Sequence, residues 1–320
     1  MEEISHRTVP VNGISLHIAE KGQGQGNPVV LFLHGFPELW YTWRKQIIAL
    51  GVAGYHAVAP DLRGYGDSDS PPSIDSYTCH HVVGDLIALI DLLGVDKVFL
   101  VAHDWGAMVG WYLCMFRPDK ITAYVCLSVP FRPRDPAMKP IETLKRAFGE
   151  DYYMCRFQEP GAIEAEIARV GASEFLKKTM ASRSPKPPIL AKENPFQISK
   201  ENPTILPEWI SEEDIAYCTS KFSQSGFTGP LNYYRNLDTN WELTAPWTGS
   251  QVKVPVKFIA GDLDSVLALP AMKEYVKGDK FKRLVPLLDE VVVVEGVGHF
   301  INQEKPEEIN AHIIKYIKTF

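Results

Sequence analysis

No stretch of this sequence concentrates positive charge. Its 33 lysines and arginines are outnumbered by 39 acidic residues, for a formal net charge of −6, so no basic surface is available to track a phosphate backbone. Nucleic acid is excluded as a partner. The five cysteines (Cys79, Cys114, Cys126, Cys155 and Cys218) lack metal-ligand spacing, and their odd number fits reduced thiols better than a disulfide framework. They read as small buried hydrophobes. Also missing is any apolar run long enough to span a bilayer. The start, Met1-Glu2-Glu3-Ile4-Ser5-His6-Arg7, has neither the basic head nor the apolar stretch of a signal peptide, and Lys318-Thr319-Phe320 is not a Ser-Lys-Leu type of address. These absences lead to the expectation of a cytoplasmic protein without membrane insertion. There is no internal repeat and no low-complexity tract.

What is present is enough apolar material for a full core: 320 residues at 45% hydrophobic content. Short β-branched runs recur at Arg7 to Val11, Ser15 to Ala19, Val29 to Leu33, His56 to Ala59, Val98 to Ala102, Thr122 to Leu127, Val256 to Ala260 and Val291 to Glu295. From the third onward they alternate with helical stretches, the pattern of a mostly parallel sheet covered on both faces. The first two should form a hairpin around Asn12-Gly13. The last segment predicts a helix, with Pro306 near its first turn, Glu307 and Glu308 complementing the dipole, and Ile309, Ile313, Tyr316, Ile317 and Phe320 on one face. Between Val129-Pro130 and Val254-Pro255 the rhythm stops and helical stretches are broken by proline. The expected organisation is a core of residues 1–129 and 254–320 with a helical cap inserted at 130–253.

The chemistry concentrates where the fifth run ends. Val98-Phe99-Leu100-Val101-Ala102 leads through His103 to Asp104 and then Trp105-Gly106, a small-x-nucleophile-x-small turn that exposes its central residue at the carboxyl edge of a sheet. Most such elbows carry serine. A carboxylate there attacks saturated carbon and forms an alkyl ester, which points to epoxide opening or halide displacement. The pattern is that of the α/β-hydrolase fold, in which nucleophile, acid and histidine follow in that order along the chain. His299 lies in the glycine-flanked loop Gly296-Val297-Gly298-His299 and is the expected base. Of the two acids after the seventh run, Asp262 directly follows the strand and suits a turn cap, so Asp264 is preferred as the partner of His299. His34-Gly35-Phe36-Pro37 follows the third run, and the backbone N–H groups of Phe36 and Trp105 are the expected oxyanion donors. Asp61-Leu62-Arg63-Gly64-Tyr65-Gly66 supports the architecture and reads as structural. Glu38 and His103 could orient a water or serve only as buried hydrogen-bonding groups.

With these residues in place the chain resembles the soluble epoxide hydrolases of the α/β-hydrolase superfamily, most closely the plant enzymes. The resemblance rests on His34-Gly35-Phe36-Pro37-Glu38-Leu39-Trp40-Tyr41, Ala102-His103-Asp104-Trp105-Gly106, Arg156-Phe157-Gln158-Glu159-Pro160-Gly161, Gly226-Phe227-Thr228-Gly229, Asn232-Tyr233-Tyr234-Arg235-Asn236-Leu237 and Asn240-Trp241-Glu242-Leu243. It implies a mostly parallel eight-stranded sheet with helices on both faces and an inserted helical cap. It also implies two cap tyrosines that hold the epoxide oxygen, Tyr153 and Tyr234, with Tyr152 and Tyr233 as the neighbours to be told apart from them. The partners it implies are a small hydrophobic epoxide, such as a fatty-acid epoxide of cutin and defence lipid metabolism or an aryl epoxide met in detoxification, and water. No cofactor and no metal are implied, and the state is monomer or homodimer. The rival readings are a haloalkane dehalogenase, which shares the elbow and the Asp-Trp pair, and a ligand receptor that has kept only the fold.

Overall fold

Asn12 and Gly13 both adopt positive φ, 46° and 80°, which is the backbone a two-residue hairpin turn needs to match strand twist. They join β1 (Ser5–Val11) to β2 (Ile14–Lys21) in an antiparallel pair that starts at Val11↔Ile14. The hairpin is one edge of an eight-stranded sheet in a computed structural model that describes residues 4–24, 26–199, 201, 203–267 and 269–320. Of the residues read above, Met1, Glu2 and Glu3 lie outside that description.

The other strands are β3 (Val29–Leu33), β4 (His56–Pro60), β5 (Val98–His103), β6 (Ile121–Leu127), β7 (Val256–Gly261) and β8 (Leu288–Val294). Their order is β1-β2-β4-β3-β5-β6-β7-β8, with β2 antiparallel to β4 and every later pairing parallel. All eight expected runs are strands. β8 begins at Leu288, three residues before its expected start, because Asp289 and Glu290 are exposed at the far edge and no apolar pattern marks them.

β3, β5 and β7 are buried along their whole lengths, as strands covered on both faces must be. Alternate residues serve opposite layers. Val30, Phe32 and Val101 pack with Ile47 and Leu50 of α1 (Arg44–Val52) and with Ile309, Ile313, Tyr316 and Ile317 of the last helix. Leu31, Leu33, Leu100 and Ala102 face Leu86 and Leu89 of α2 (Cys79–Leu92) and Val109 and Leu113 of α3 (Trp105–Phe116). Each such side chain contributes on the order of 1.5–3 kcal/mol by leaving water.

After β6 the chain forms α4 (Pro140–Phe148), α5 (Tyr153–Arg156), α6 (Ala162–Val170), α7 (Ala172–Met180), α8 (Glu212–Ser225), α9 (Thr228–Arg235) and α10 (Leu237–Leu243), and only then β7. α11 (Pro270–Lys277) and α12 (Asp279–Leu284) separate β7 from β8, and α13 (Ile301–Glu304) and α14 (Pro306–Ile317) end the chain. The helices between β6 and β7 are tied to the rest of the chain by polar contacts. Trp40 Nε1 donates to Tyr217 Oη at 2.9 Å, Arg44 lies 2.9 Å from Asp214, and the Asn240 side-chain oxygen accepts from the Cys79 amide at 2.8 Å. All five cysteines are buried and free. Among the described residues no helix is long and apolar enough to cross a membrane.

Candidate active site

Asp104 sits between β5 and α3 with φ 51° and ψ −120°, a conformation that costs a non-glycine residue on the order of 1–3 kcal/mol. The surroundings enforce it. A Cβ on Gly106 would lie 2.2 Å from the Leu33 carbonyl oxygen, and one on Gly35 would lie 2.3 Å from the Asp104 side chain. The small residues of the elbow are therefore a steric demand of two loops crossing. We expect Gly106→Ala to lower unfolding stability by about 2–3 kcal/mol, because backbone atoms cannot yield as a flexible side chain can. Chemical denaturation monitored by tryptophan fluorescence measures this, and an unchanged midpoint would contradict the contact.

The carboxylate so presented is held from two sides. Its Oδ1 accepts from the Phe36 amide at 2.7 Å, and its Oδ2 lies 3.4 Å from His299 Nε2. His299 Nδ1 in turn lies 2.9 Å from Asp264 Oδ2, while the other Asp264 oxygen accepts from the Val266 amide at 2.8 Å. Asp262 does something else: its Oδ1 accepts from the amides of Gly296 and Val297, at 2.7 and 3.3 Å, and caps the loop that carries His299. Trp105 is the first residue of α3, where amides have no acceptor within their own helix.

Charge and burial oppose each other here. Burial pushes the His299 pKa down, but the carboxylates of Asp264 and Asp104 overcome it and hold it well above the ordinary histidine value. For Asp264, burial pushes the carboxyl up, and His299 opposite it brings it below the usual range. Both ions are thus favoured by each other.

Glu38 and His103 lie directly beneath. His103 is fully buried, its Nδ1 2.8 Å from Glu38 Oε2 and its Nε2 2.8 Å from the carbonyl oxygen of His299. Each ring nitrogen thus has an oxygen within hydrogen-bonding distance. Burial pushes the Glu38 carboxyl up, and His103, Thr42 and the Gly35 amide together bring it down to about 2. The pair anchors the His34-Gly35 loop to the His299 loop.

Tyr153 at the start of α5 and Tyr234 in α9 line the same cavity as Asp104, with ring centroids 5.9 Å apart and edge to face. The Tyr234 ring is 4.9 Å from that of Trp105. Burial raises both phenols well above their ordinary pKa, with Asp104 adding to the rise. Their neighbours differ. Tyr233 is turned away and donates to the Arg63 carbonyl at 3.0 Å, whereas Tyr152 also reaches the cavity wall beside Tyr153. Arg63 itself pairs with Asp85, at 2.5 and 2.6 Å.

The cavity lined by Asp104, Trp105, Tyr152, Tyr153 and Tyr234 has a volume of ≈ 360 Å³. One wall is the face of α3 that carries Trp105, Met108, Trp111, Tyr112 and Met115, a run of about 16 Å from Asp104 at 1.5 Å per residue. Sequence reasoning missed one residue of the site. Ser128, just past β6, is fully buried with φ 70° and its Oγ lies 3.2 Å from the His299 carbonyl oxygen. Only its place at the end of a central parallel strand could have drawn attention to it.

Residues 28–175 match the family described as alpha/beta hydrolase fold. The chain is 56% identical over the full length of both proteins to epoxide hydrolase 1 of Siraitia grosvenorii. Among solved structures it is similar to a Vigna radiata epoxide hydrolase mutant, at 59% identity, a TM-score of 0.96 and complete coverage of both chains. It is also similar to a laboratory-evolved variant of potato epoxide hydrolase, at 51% identity and a TM-score of 0.95, covering 99% of this chain and 100% of that one.

Proposed function

We propose that this chain, which belongs to the epoxide hydrolases of the α/β-hydrolase fold, converts an epoxide and water to a vicinal diol through an ester formed on Asp104. The observation that carries the mechanism is a carboxylate, not a hydroxyl, at the strained apex of the elbow, with His299 Nε2 3.4 Å from it and Tyr153 and Tyr234 lining the same cavity. In the first half, an Asp104 oxygen attacks a ring carbon and the carbon–oxygen bond of the epoxide breaks. Tyr153 or Tyr234 gives its proton to the alkoxide. Their raised pKa keeps these phenols neutral until that moment and makes them donors, not bases.

The two carboxylates facing His299 set the order of events. While Asp104 is ionised the imidazole is held protonated, and esterification removes that negative charge. The imidazolium proton then passes to the tyrosinate, so the first half ends with a neutral histidine facing the ester. In the second half His299 takes a proton from water, whose oxygen attacks the ester carbonyl, and the Phe36 and Trp105 amides receive the charge on the carbonyl oxygen. Collapse releases the diol and restores Asp104 as carboxylate and His299 as imidazolium, so the cycle closes without a cofactor. Asp264 orients the imidazole throughout.

We read residues 130–253 as a cap whose helices supply the tyrosines and residues 1–129 and 254–320 as the core that supplies the triad. The apolar wall along α3 favours a long or aromatic substrate, and fatty-acid or aryl epoxides suit it. The oxygen delivered to the first diol tests the mechanism without any substitution. In a single turnover with enzyme in excess in oxygen-18 water, the first diol carries unlabelled oxygen from Asp104 and the label enters the peptide containing Asp104. Solvent label in that first diol, with none in the peptide, would mean that water attacks the epoxide directly.

A further inference from the structure

Arg183, shortly past the end of α7, does not line the cavity, yet it reaches the loop that carries His299. Its Nη2 donates to the Gly296 carbonyl and lies 3.5 Å from Glu304 Oε2. Glu304, at the end of α13, accepts the Gly298 amide with both carboxylate oxygens, at 3.0 and 3.1 Å, and its side chain is only 5% exposed. The loop backbone rests directly on the pair: a Cβ on Gly298 would lie 2.7 Å from Glu304 Oε1 and 3.8 Å from Arg183 Cγ. An ion pair in open water contributes little. A carboxylate this far out of water depends on its partner, because removing the guanidinium leaves a nearly buried charge unbalanced.

We propose that Arg183 is a positioning residue for His299, fastening the cap to the loop of Gly296 to His299 through Gly296 and Glu304, so that the imidazole is aligned for water attack on the ester while the cap is seated. The proposal rests on residues 130–253 being a cap and on His299 being the base of the second half. The core grips the same loop from other sides. Asp262 accepts from the Gly296 and Val297 amides, and His103 Nε2 lies 2.8 Å from the His299 carbonyl oxygen. Gly296 is therefore held at its amide by the core and at its carbonyl by Arg183. Without the arginine the loop keeps its anchors to the core and loses its charged tie to the cap. Alkylation draws on Asp104 and the two tyrosines and does not need that alignment. Ester hydrolysis does, because the imidazole must then take a proton from a water at the ester carbonyl.

Three variants of the full chain test this: Arg183→Ala, Glu304→Gln and the double variant. Rapid-quench single turnovers with an epoxide give the alkylation and ester-hydrolysis rates separately. The mass of the trapped ester counts the folded, active enzyme, so a less stable variant is not mistaken for a slower one. Arg183→Ala is expected to hydrolyse its ester about 10-fold more slowly while alkylating at the parent's rate, since a catalytic group displaced by a fraction of an ångström loses that much. The ester then accumulates in the steady state. The double variant should be no slower than Arg183→Ala alone, because the two side chains act as a unit. Parent-like ester hydrolysis in Arg183→Ala, an equal slowing of both halves, or losses that add in the double variant would overturn the proposal and leave Arg183 a surface ion pair. His299→Gln, run alongside, keeps the two readings apart. If it hydrolyses its ester at the parent's rate, the base assignment fails and this proposal with it, whereas a slow histidine variant beside a parent-like Arg183→Ala strikes out the arginine alone.

Discussion

Asp104→Ala is expected to lose turnover by about 10⁴-fold or more, and His299→Gln to lose it comparably but with a covalent ester left on the enzyme. The two losses have different origins. Without the carboxylate no bond to the ring carbon forms, whereas without the imidazole the ester forms and its water goes unactivated. Intact-mass measurement after mixing with an epoxide distinguishes them. The histidine variant should gain the mass of one epoxide and lose it slowly, and the alanine variant should gain nothing. Asp104→Asn should behave as the alanine variant, with activity returning on storage if the amide hydrolyses back to aspartate. A histidine variant that binds epoxide and never gains its mass would remove His299 from the second half of the cycle.

Tyr153→Phe and Tyr234→Phe are each expected to slow alkylation by about 10²-fold, and the double variant to be nearly inactive, because an alkoxide forming in a dry cavity would then lack both donors. Rapid-quench measurement of ester formation gives the rates. The neighbouring tyrosines serve as internal controls. Tyr233 spends its hydroxyl on the Arg63 carbonyl, so Tyr233→Phe should lower stability and leave alkylation alone. Tyr152 stands at the cavity wall, and parent-like alkylation in the Tyr153/Tyr234 double variant would transfer the donor role to it.

Most of what locates the site was legible because it is local. The elbow announces itself within Ala102 to Gly106, since a strand, a crossing loop and a helix must meet there and only small residues fit. Asp264 could be preferred over Asp262 because a carboxylate directly after a strand finds its own turn amides, as Asp262 does with Gly296 and Val297. The limits were set by tertiary contact. Ser128 has its acceptor on a residue 171 positions away, and no short-range pattern encodes such a pairing. The start of β8 was missed because Asp289 and Glu290 look to solvent at a sheet edge. Tyr153 and Tyr234 were separable from Tyr152 and Tyr233 only through their motifs, because adjacent tyrosines on short helices differ by direction and not by composition.

The order of the sheet also decides when this site can exist. Asp104 follows the third strand from one edge of the parallel array, while His299 waits on the loop after β8, the last strand to be made and the outermost on the other side. The bond from His103 to the His299 carbonyl spans 196 residues, and contacts of that separation form late because the intervening loop must close before they yield any gain. Helices and central strands can form and pack while the cavity is still chemically empty of its base. Recovery of activity during refolding should therefore trail recovery of helical signal, and the trailing interval measures the docking of β8 and α14 onto a core that is already assembled.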